Sequence, residues 1–203
     1  MTAVIDYGVG NLFSLCSSLR AVGADVTVTG DAKEIAKADK LILPGVGAFG
    51  DAVEKLSADG LDAVIKERAR EGVPLLGICL GMQLLFEESY EYGLHKGLGL
   101  IEGQVVPMKG KIPSKLDVPH MGWNALKLHN ESPIFKYINE GDCVYFVHSY
   151  FAENCEKSLT ASAEYGIPIT AAVGQGNVFG CQFHPEKSGK TGLAILKAFM
   201  EEV

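Results

Sequence analysis

Four short apolar runs in the first half of the chain are each followed by a stretch with helical spacing. The runs do not alternate between polar and apolar residues, as strands do when one face of their sheet meets water. Strands without alternation that take turns with helices are typical of βαβ units, in which a parallel sheet is buried on both faces. The predicted strand and helix pairs are 3–5 with 11–21, 25–29 with 33–37, 40–43 with 51–71, and 73–78 with 80–88.

The second half of the chain changes to strand-like runs that follow one another closely and are separated by Gly and Pro. Such separators favour hairpins, so we expect the sheet to be mixed. The stretch 103–123 is predicted to be loop-rich, with His120 in a loop, and a helix over 192–200 closes the chain. The predicted strands are 98–106, 124–128, 143–147, 159–164, 169–173 and 177–182.

Length and charge narrow the possible classes of protein. A chain of 203 residues with 47% hydrophobic residues fits one α/β domain over 1–203, since a domain commonly has roughly 100–200 residues. The net charge of −7, without a cluster of Lys and Arg, argues against nucleic-acid binding. The longest apolar stretch, 74–86, is shorter than the roughly 20 residues of a membrane span. No secretory signal is visible at the N-terminus, so we expect no membrane association.

Five cysteines make an odd number without a CxxC pair. This argues against a disulfide framework and against a zinc ribbon, and it favours the reducing cytoplasm. We expect neither a metal nor another cofactor. Most of the cysteines are predicted to be small buried apolar residues.

Cys79 is the exception, because it lies between Gly77 and Gly81 where a predicted strand ends and a helix begins. This G-x-C-x-G pattern is the cysteine counterpart of a nucleophile elbow. The glycines permit a sharp turn, the helix N-terminus favours the thiolate, and the amide of Leu80 can help to hold an oxyanion. The alternative is a structural cysteine buried in a tight turn.

His184 and Glu186 form a second pattern, directly after the last predicted strand. Residues two apart in extended chain point the same way, so the carboxylate can orient the imidazole. The imidazole can then act as a base towards a thiol and as an acid towards a leaving amine. The alternative is a loop histidine beside an exposed glutamate, but an elbow cysteine in the same chain favours a triad.

The third pattern, Gly45-x-Gly47-x-x-Gly50, resembles a dinucleotide fingerprint when it is taken alone. That fingerprint needs an acidic residue at the end of the next strand, roughly 20 positions on, and here the strand ends in Cys79. We therefore interpret Gly45–Gly47 as exposed backbone amides suited to an oxyanion hole. A simple glycine turn is the alternative.

With these motifs the chain resembles the class I, triad-type glutamine amidotransferases. Within them it is similar to the glutaminase subunits of imidazole glycerol phosphate synthases, and Met82, where several sister families have His, supports this. The segments that carry the similarity are 5–11, 44–50, 77–83, 119–124, 145–150 and 183–188. The resemblance implies an α/β fold of three layers, with an open, mixed but mostly parallel sheet between helices, as in flavodoxin.

The resemblance also implies a role for each matching residue. Cys79 is the nucleophile, His184 the base and Glu186 its orienting carboxylate, while the amides of Gly47 and Leu80 hold the oxyanion. The residues expected to contact glutamine are Gln83, His148, Ser149 and Tyr150. The residues expected at a partner interface and ammonia passage are Asn11, Trp123, Tyr145 and Lys187. His148 and Tyr150 could equally be core or interface residues, and Trp123 could simply pack.

The implied reaction is hydrolysis of glutamine through a cysteinyl thioester, without a cofactor. The ammonia passes to a separate (β/α)8-barrel cyclase subunit in a heterodimer, which makes imidazole glycerol phosphate and aminoimidazole carboxamide ribotide. Three alternatives remain: another class I amidotransferase, a non-catalytic scaffold with a buried Cys79, and a Cys–His–Glu peptidase. The Met-Gly-Trp-Asn and Val-His-Ser-Tyr segments argue against the first, and the small glycine-lined elbow gives no sign of a peptide cleft.

Overall fold

A nine-stranded sheet runs through the molecule in the computed structural model, which describes residues 1–203. Its parallel half contains, in spatial order, β2 (Val26–Thr29), β1 (Thr2–Ile5), β3 (Lys40–Leu43), β4 (Leu75–Ile78) and β13 (Val178–Cys181). The sheet continues antiparallel through β12 (Pro168–Gln175), β11 (Leu159–Glu164), β8 (His120–Leu128) and β9 (Cys143–His148).

Helices cover both faces of this sheet. The helices α1 (Leu12–Ala21) and α6 (Gly189–Glu202) pack in one core, and α2 (Ala32–Ile35), α3 (Phe49–Ala58) and α4 (Leu61–Arg70) pack in the other. Strand β1 sends Ala3 and Ile5 into the second core and Val4 into the first, and all three are fully buried. This confirms the three-layer α/β fold with a mixed sheet. None of the helices is both long and apolar enough to span a bilayer.

A second, four-stranded sheet was not predicted. It consists, in spatial order, of β10 (Tyr150–Glu153), β7 (Ile101–Pro107), β5 (Phe86–Ser89) and β6 (His95–Lys96). Two of these strands, β5 and β10, lie next to the segments around Cys79 and His148. The small sheet therefore fixes two sides of the region where the candidate site residues lie.

The helix predicted over 51–71 is two helices, α3 and α4. The break falls at Asp59 and Gly60, and Gly60 has a left-handed conformation with φ +67°. Glycine adopts this conformation without the steric cost that other residues meet, and it commonly ends a helix. The apolar positions of the two helices face the same core, which is why their pattern looked continuous.

The helix predicted over 80–88 is also shorter, because α5 covers only Leu80–Leu84. The carbonyls of Leu84 and Leu85 accept hydrogen bonds from the amides of Leu98 and Ile101. These contacts compete with continuation of the helix, and the chain enters β5 instead. Cys79 still immediately precedes the N-terminus of α5, so the expected support of its thiolate by a helix N-terminus now comes from a helix of five residues.

The loop-rich stretch predicted over 103–123 is wrong at its C-terminal end, and at its start it overlaps the strand predicted over 98–106, which β7 confirms. Strand β7 continues to Pro107, and β8 begins at His120, four residues before the predicted strand. His120 is completely buried and pairs with His148 of β9, so it is not a loop residue.

Three loops meet at the carboxyl ends of neighbouring strands. Strands β3, β4 and β13 lie side by side and parallel, and they are followed by Pro44–Gly47, Cys79 and Gln182–Glu186, respectively. In open α/β sheets this edge is where ligands bind. The topology thus brings the three sequence motifs together.

Candidate active site

Cys79 lies at a sharp turn between β4 and α5. Its φ of +55° and ψ of −111° are unusual for a residue with a side chain. Its amide donates to the carbonyl of Cys181 at 2.8 Å, which continues the pairing of β4 with β13. A strained backbone of this kind, held by its neighbours, is typical of nucleophile elbows.

The two glycines that flank Cys79 make this turn possible. A Cβ at Gly81 would lie 1.8 Å from the carbonyl oxygen of Leu43, and one at Gly77 would lie 2.6 Å from the carbonyl oxygen of Gly81. Both distances are far shorter than any van der Waals contact. The G-x-C-x-G spacing therefore follows from the close approach of β3, β4 and α5.

His184 follows β13, and its amide donates to the carbonyl of Tyr145 in β9 at 2.9 Å. Its Nδ1 lies 2.8 Å from Oε1 of Glu186, and both side chains are about 5% exposed or less. Because a carboxylate oxygen accepts hydrogen bonds, Nδ1 carries the proton. Nε2 is then the ring nitrogen that is left for proton exchange with Cys79.

Opposing effects set the pKa of His184. Burial lowers it, but Cys79 and Glu186 outweigh burial and raise the pKa to about 9. An imidazole with this pKa retains a proton that it takes from a thiol at neutral pH. The pair is therefore suited to a nucleophile and a base.

Replacing Glu186 with Gln is expected to make the stability difference from the unaltered chain depend on pH. A histidine whose pKa rises from about 6.5 to about 9 on folding stabilises the protein fully below pH 6.5. That contribution is lost as the pH rises through 9. The difference in free energy of unfolding, measured with urea, should be largest near pH 6 and shrink towards pH 9.

The same series with Glu102→Gln provides the control, since Glu102 forms only an exposed ion pair with Lys157. That variant should stay within roughly 0.5 kcal/mol of the unaltered chain throughout. A constant deficit of Glu186→Gln at every pH would show that its carboxylate does not act through His184.

A pocket of about 400 Å³ surrounds Cys79 and His184. Gly47 and Leu80, whose amides are expected to hold an oxyanion, line it. As the first residue of α5, Leu80 has an amide without a partner inside its helix. The wall of the pocket therefore includes a helix-terminal residue with an unpaired amide, directly after Cys79 in the sequence.

The loop that contains Gly47 is anchored at both ends and exposed between them. The buried Tyr7 hydroxyl donates to the carbonyl of Pro44 at 2.7 Å. Gly47, in contrast, has φ +97°, and a Cβ there would meet nothing within 4 Å. The two ends of the loop are thus anchored by Tyr7 and Glu91, while the exposed Gly47 between them has open space at its Cβ position.

Gln83, one helical turn after Cys79, lies in the wall of the pocket. Its Nε2 donates to the carbonyl of Tyr150 at 3.1 Å and to Oε1 of Gln182 at 3.0 Å. These two hydrogen bonds use both protons of the amide nitrogen. The oxygen of Gln83 remains as an acceptor for a bound ligand.

His148, Ser149 and Tyr150 also line the pocket. The His148 Nδ1 donates to the carbonyl of Tyr150 at 2.8 Å, and its Nε2 lies 3.0 Å from Nδ1 of His120. Burial lowers the pKa of His148 to about 3, so the side chain is neutral. Its side chain therefore holds the bend between β9 and β10, and the backbone of the bend faces the pocket.

Glu91 belongs to the same pocket and was missed in the sequence. Its carboxylate accepts from the amide of Phe49 at 2.7 Å, and burial raises its pKa. Gln182 was missed as well, although it lies two residues before His184. Neither residue belongs to a recognisable sequence pattern, because contacts with distant parts of the chain place both of them at the site.

The predicted interface residues lie outside the pocket, apart from Lys187, which lines it. Trp123 is 55% exposed, and its ring meets that of Tyr145 edge to face with centroids 5.9 Å apart. The Lys187 ammonium lies 5.8 Å from the centre of the Tyr145 ring. Asn11 caps α1 by accepting from Ser14 at 3.4 Å, so it has a structural role of its own.

No three His, Cys, Asp or Glu side chains come together in a way that could hold a metal ion. The polar side chains of the pocket include the thiol of Cys79, the imidazole of His184, the carboxyl of Glu91 and the amide of Gln83. This set can carry out nucleophilic acyl transfer by itself.

Comparison with known proteins gives a consistent assignment. Residues 3–203 match the family described as glutamine amidotransferase class-I. An imidazole glycerol phosphate synthase subunit HisH from Bacillus licheniformis is 52% identical, over 99% of this chain and 96% of its own length. The same subunit from Caldanaerobacter subterraneus is 51% identical, over 100% of this chain and 98% of its own length.

Solved structures agree on the fold. A crystal structure of a glutamine amidotransferase has a TM-score of 0.77 at 18% identity, with 98% of this chain and 97% of that chain covered. The PurLQS structure from Thermotoga maritima has a TM-score of 0.76 at 20% identity, with 98% and 96% covered. The family match spans nearly the whole sequence, and the chain belongs to the class I glutamine amidotransferases.

Proposed function

We propose that residues 1–203 form one glutamine amidotransferase domain, the glutaminase subunit of an imidazole glycerol phosphate synthase in histidine biosynthesis. It hydrolyses glutamine to glutamate and ammonia. The observation that carries this proposal is the pocket in which Cys79, on its strained turn, meets the His184–Glu186 pair. The relatives that share half of its sequence are subunits of that synthase.

Cys79 starts the reaction by transferring its thiol proton to Nε2 of His184, and its sulfur attacks the side-chain amide carbon of glutamine. The amides of Gly47 and Leu80 stabilise the oxyanion that forms. When the C–N bond breaks, His184 returns the proton and ammonia leaves. Water, deprotonated by His184, then cleaves the glutamyl thioester and releases glutamate.

The walls of the pocket supply groups that complement free glutamine. The oxygen of Gln83 and the carboxylate of Glu91 are acceptors suited to its ammonium group. The backbone of Ser149 and Tyr150 supplies further polar groups. This pocket of about 400 Å³ suits a single amino acid better than a peptide.

A cyclase subunit with a (β/α)8 barrel is the proposed partner, in a heterodimer. The exposed side chains of Met121 and Trp123 lie on β8 beside Val147 and Tyr145 of β9. Val147 lines the pocket, and its carbonyl lies 4.0 Å from the sulfur of Cys79. An exposed apolar face that borders the nucleophile is suited to a docked subunit that receives ammonia.

Of the other proposed interface residues, Lys187 lies over Tyr145 at this face, and Asn11 lies at the N-terminus of α1. Phe13, which is 84% exposed in the first turn of α1, adds an apolar side chain near Asn11. We assign the complex to the cytoplasm, because all five cysteines are free and the nucleophile must stay reduced. Ammonia and the cyclase then give imidazole glycerol phosphate and aminoimidazole carboxamide ribotide.

A glutamine analogue with an electrophilic diazoketone in place of the amide tests the proposal. The expected result is one adduct at Cys79, found by mass spectrometry of peptides, and faster labelling when the liganded cyclase is present. Excess glutamine should protect Cys79. Absence of an adduct at Cys79 with and without the cyclase would favour a non-catalytic scaffold.

A further inference from the structure

We propose that Gln182 is a positioning residue, whose side-chain amide orients the sulfur of Cys79 and stabilises its thiolate. This proposal rests on the proposed glutaminase function, because it concerns the nucleophile of that reaction. Gln182 lies between the end of β13 and His184, and it is completely buried.

A buried primary amide has to find partners, because leaving its donors and acceptors unpaired is costly. Oε1 of Gln182 accepts from Nε2 of Gln83 at 3.0 Å, and Nε2 of Gln182 lies 3.7 Å from Sγ of Cys79. The side chain thus bridges the wall of the pocket and the nucleophile.

The hydrogen bonds around Gln83 fix which atom of Gln182 faces the sulfur. The carbonyl of Tyr150 can only accept, so the atom of Gln83 that contacts it must be the nitrogen. That same nitrogen donates to Gln182, so Gln182 presents its oxygen to Gln83. Its nitrogen, with a proton to donate, therefore faces Cys79.

This donor matches the reactive form of the cysteine. As a thiol, Cys79 has the carbonyl of Val147 as an acceptor at 4.0 Å. As a thiolate it needs donors instead, and it is only 7% exposed, so little water is available. The Gln182 amide is the neutral donor directed at the sulfur, while His184 provides the positive charge.

The bridge also connects substrate recognition to the nucleophile. Gln83, which has its oxygen free for glutamine, holds Gln182 through its nitrogen. A ligand that fixes Gln83 therefore restricts Gln182 and, through it, the sulfur of Cys79. Gln182 does not touch the substrate in this arrangement and acts only through its two neighbours.

The test is the pH profile of alkylation of the full chain by iodoacetamide, followed at each cysteine by mass spectrometry. Gln182→Met keeps the size of the side chain and removes the donor. We expect the inflection for Cys79 to move up by about one pH unit, since a hydrogen bond to a charged group is lost. Cys143 is exposed and serves as the reference within the same molecule, with an unchanged profile.

Two further variants separate this role from simple packing. Gln182→Glu keeps an oxygen for Gln83 but places a carboxylate oxygen at the sulfur, so it should shift Cys79 further upward. With the cyclase present, its kcat should fall at least about tenfold while KM for glutamine stays within about twofold. Thr170→Val removes a buried hydroxyl on the neighbouring strand and should leave the Cys79 profile unchanged.

A wild-type Cys79 profile in folded Gln182→Met and Gln182→Glu would overturn the proposal. If neither variant folds, the side-chain amide signals of Gln182 in the unaltered chain decide by NMR. The chemical shifts of these signals should change over the same pH range as the alkylation of Cys79, and this change should be absent in Cys79→Ala. Chemical shifts that do not change over that pH range in the unaltered chain would overturn the proposal. Because alkylation needs no glutamine turnover, failure of the glutaminase function would be seen separately.

Discussion

Cys79→Ala is expected to abolish glutamine-dependent synthesis by the complex with the cyclase while leaving ammonia-dependent synthesis intact. Without the sulfur no thioester forms, and His184 alone cannot supply the nucleophile. The loss in glutamine hydrolysis should be on the order of 10⁴-fold or more, as is general for removal of a covalent nucleophile. Product formation is measured with glutamine and, separately, with an ammonium salt as the nitrogen source.

Cys155→Ala is the matched control, because Cys155 is about as buried as Cys79 but contacts the hydroxyl of Thr170 instead of the pocket. It should retain glutamine-dependent synthesis within about twofold once its lower stability is allowed for. If Cys79→Ala loses synthesis with glutamine and also with ammonium, the variant fails to assemble. If it retains synthesis with both nitrogen sources, Cys79 is excluded as the nucleophile.

The second large effect is activation of glutamine hydrolysis by the partner. The isolated chain should hydrolyse glutamine poorly, and the cyclase with its ligand should raise the rate by roughly 10²–10³-fold, the contribution of one oxyanion donor. The reason lies at Gly47, an exposed glycine in the wall of the pocket, whose peptide we expect to turn its amide towards or away from the pocket. Glutamate release is measured with and without the liganded cyclase.

Gly47→Ala should respond much less to the cyclase, because its φ of +97° is strained for any residue with a Cβ. Gly110→Ala carries a similar strain at φ +88°, also with open space around its Cβ, and its position does not line the pocket. That variant should be activated normally. Equal hydrolysis rates with and without liganded cyclase would contradict the role given to Gly47.

Much of the fold is predictable because the buried parallel strands leave a strong pattern. The first four strands were found from apolar runs alone, although the bounds of the helices after the third and fourth were wrong, and the family resemblance added the three layers. The small sheet was not found, because Phe86 continues the apolar pattern of α5 and no Gly or Pro separates the helix from Phe86–Ser89. The helix ends where the amides of residues 97–101 donate to the carbonyls of residues 84–87.

At the site, too, residues in short sequence patterns were predicted, and residues placed by contacts distant in sequence were not. The catalytic candidates stand in short sequence patterns that are typical of their chemistry, G-x-C-x-G around Cys79 and His-x-Glu at His184 and Glu186. The fold brings the two patterns together at the pocket. Gln182 and Glu91 belong to no such pattern, because their partners, Gln83 and Phe49, come from other elements. His120 was placed in a loop because Met-Gly-Trp interrupts the strand pattern, whereas its pairing with β9 buries it.

The most direct test of the account follows the nitrogen itself. The chain and its cyclase are given glutamine labelled with ¹⁵N in the side-chain amide, together with excess unlabelled ammonium, and the imidazole glycerol phosphate is analysed by mass spectrometry. We expect ¹⁵N in the ring of nearly every product molecule, because ammonia released at Cys79 passes to the cyclase without mixing with the solvent. A product that carries the unlabelled nitrogen of the bulk ammonium would contradict it.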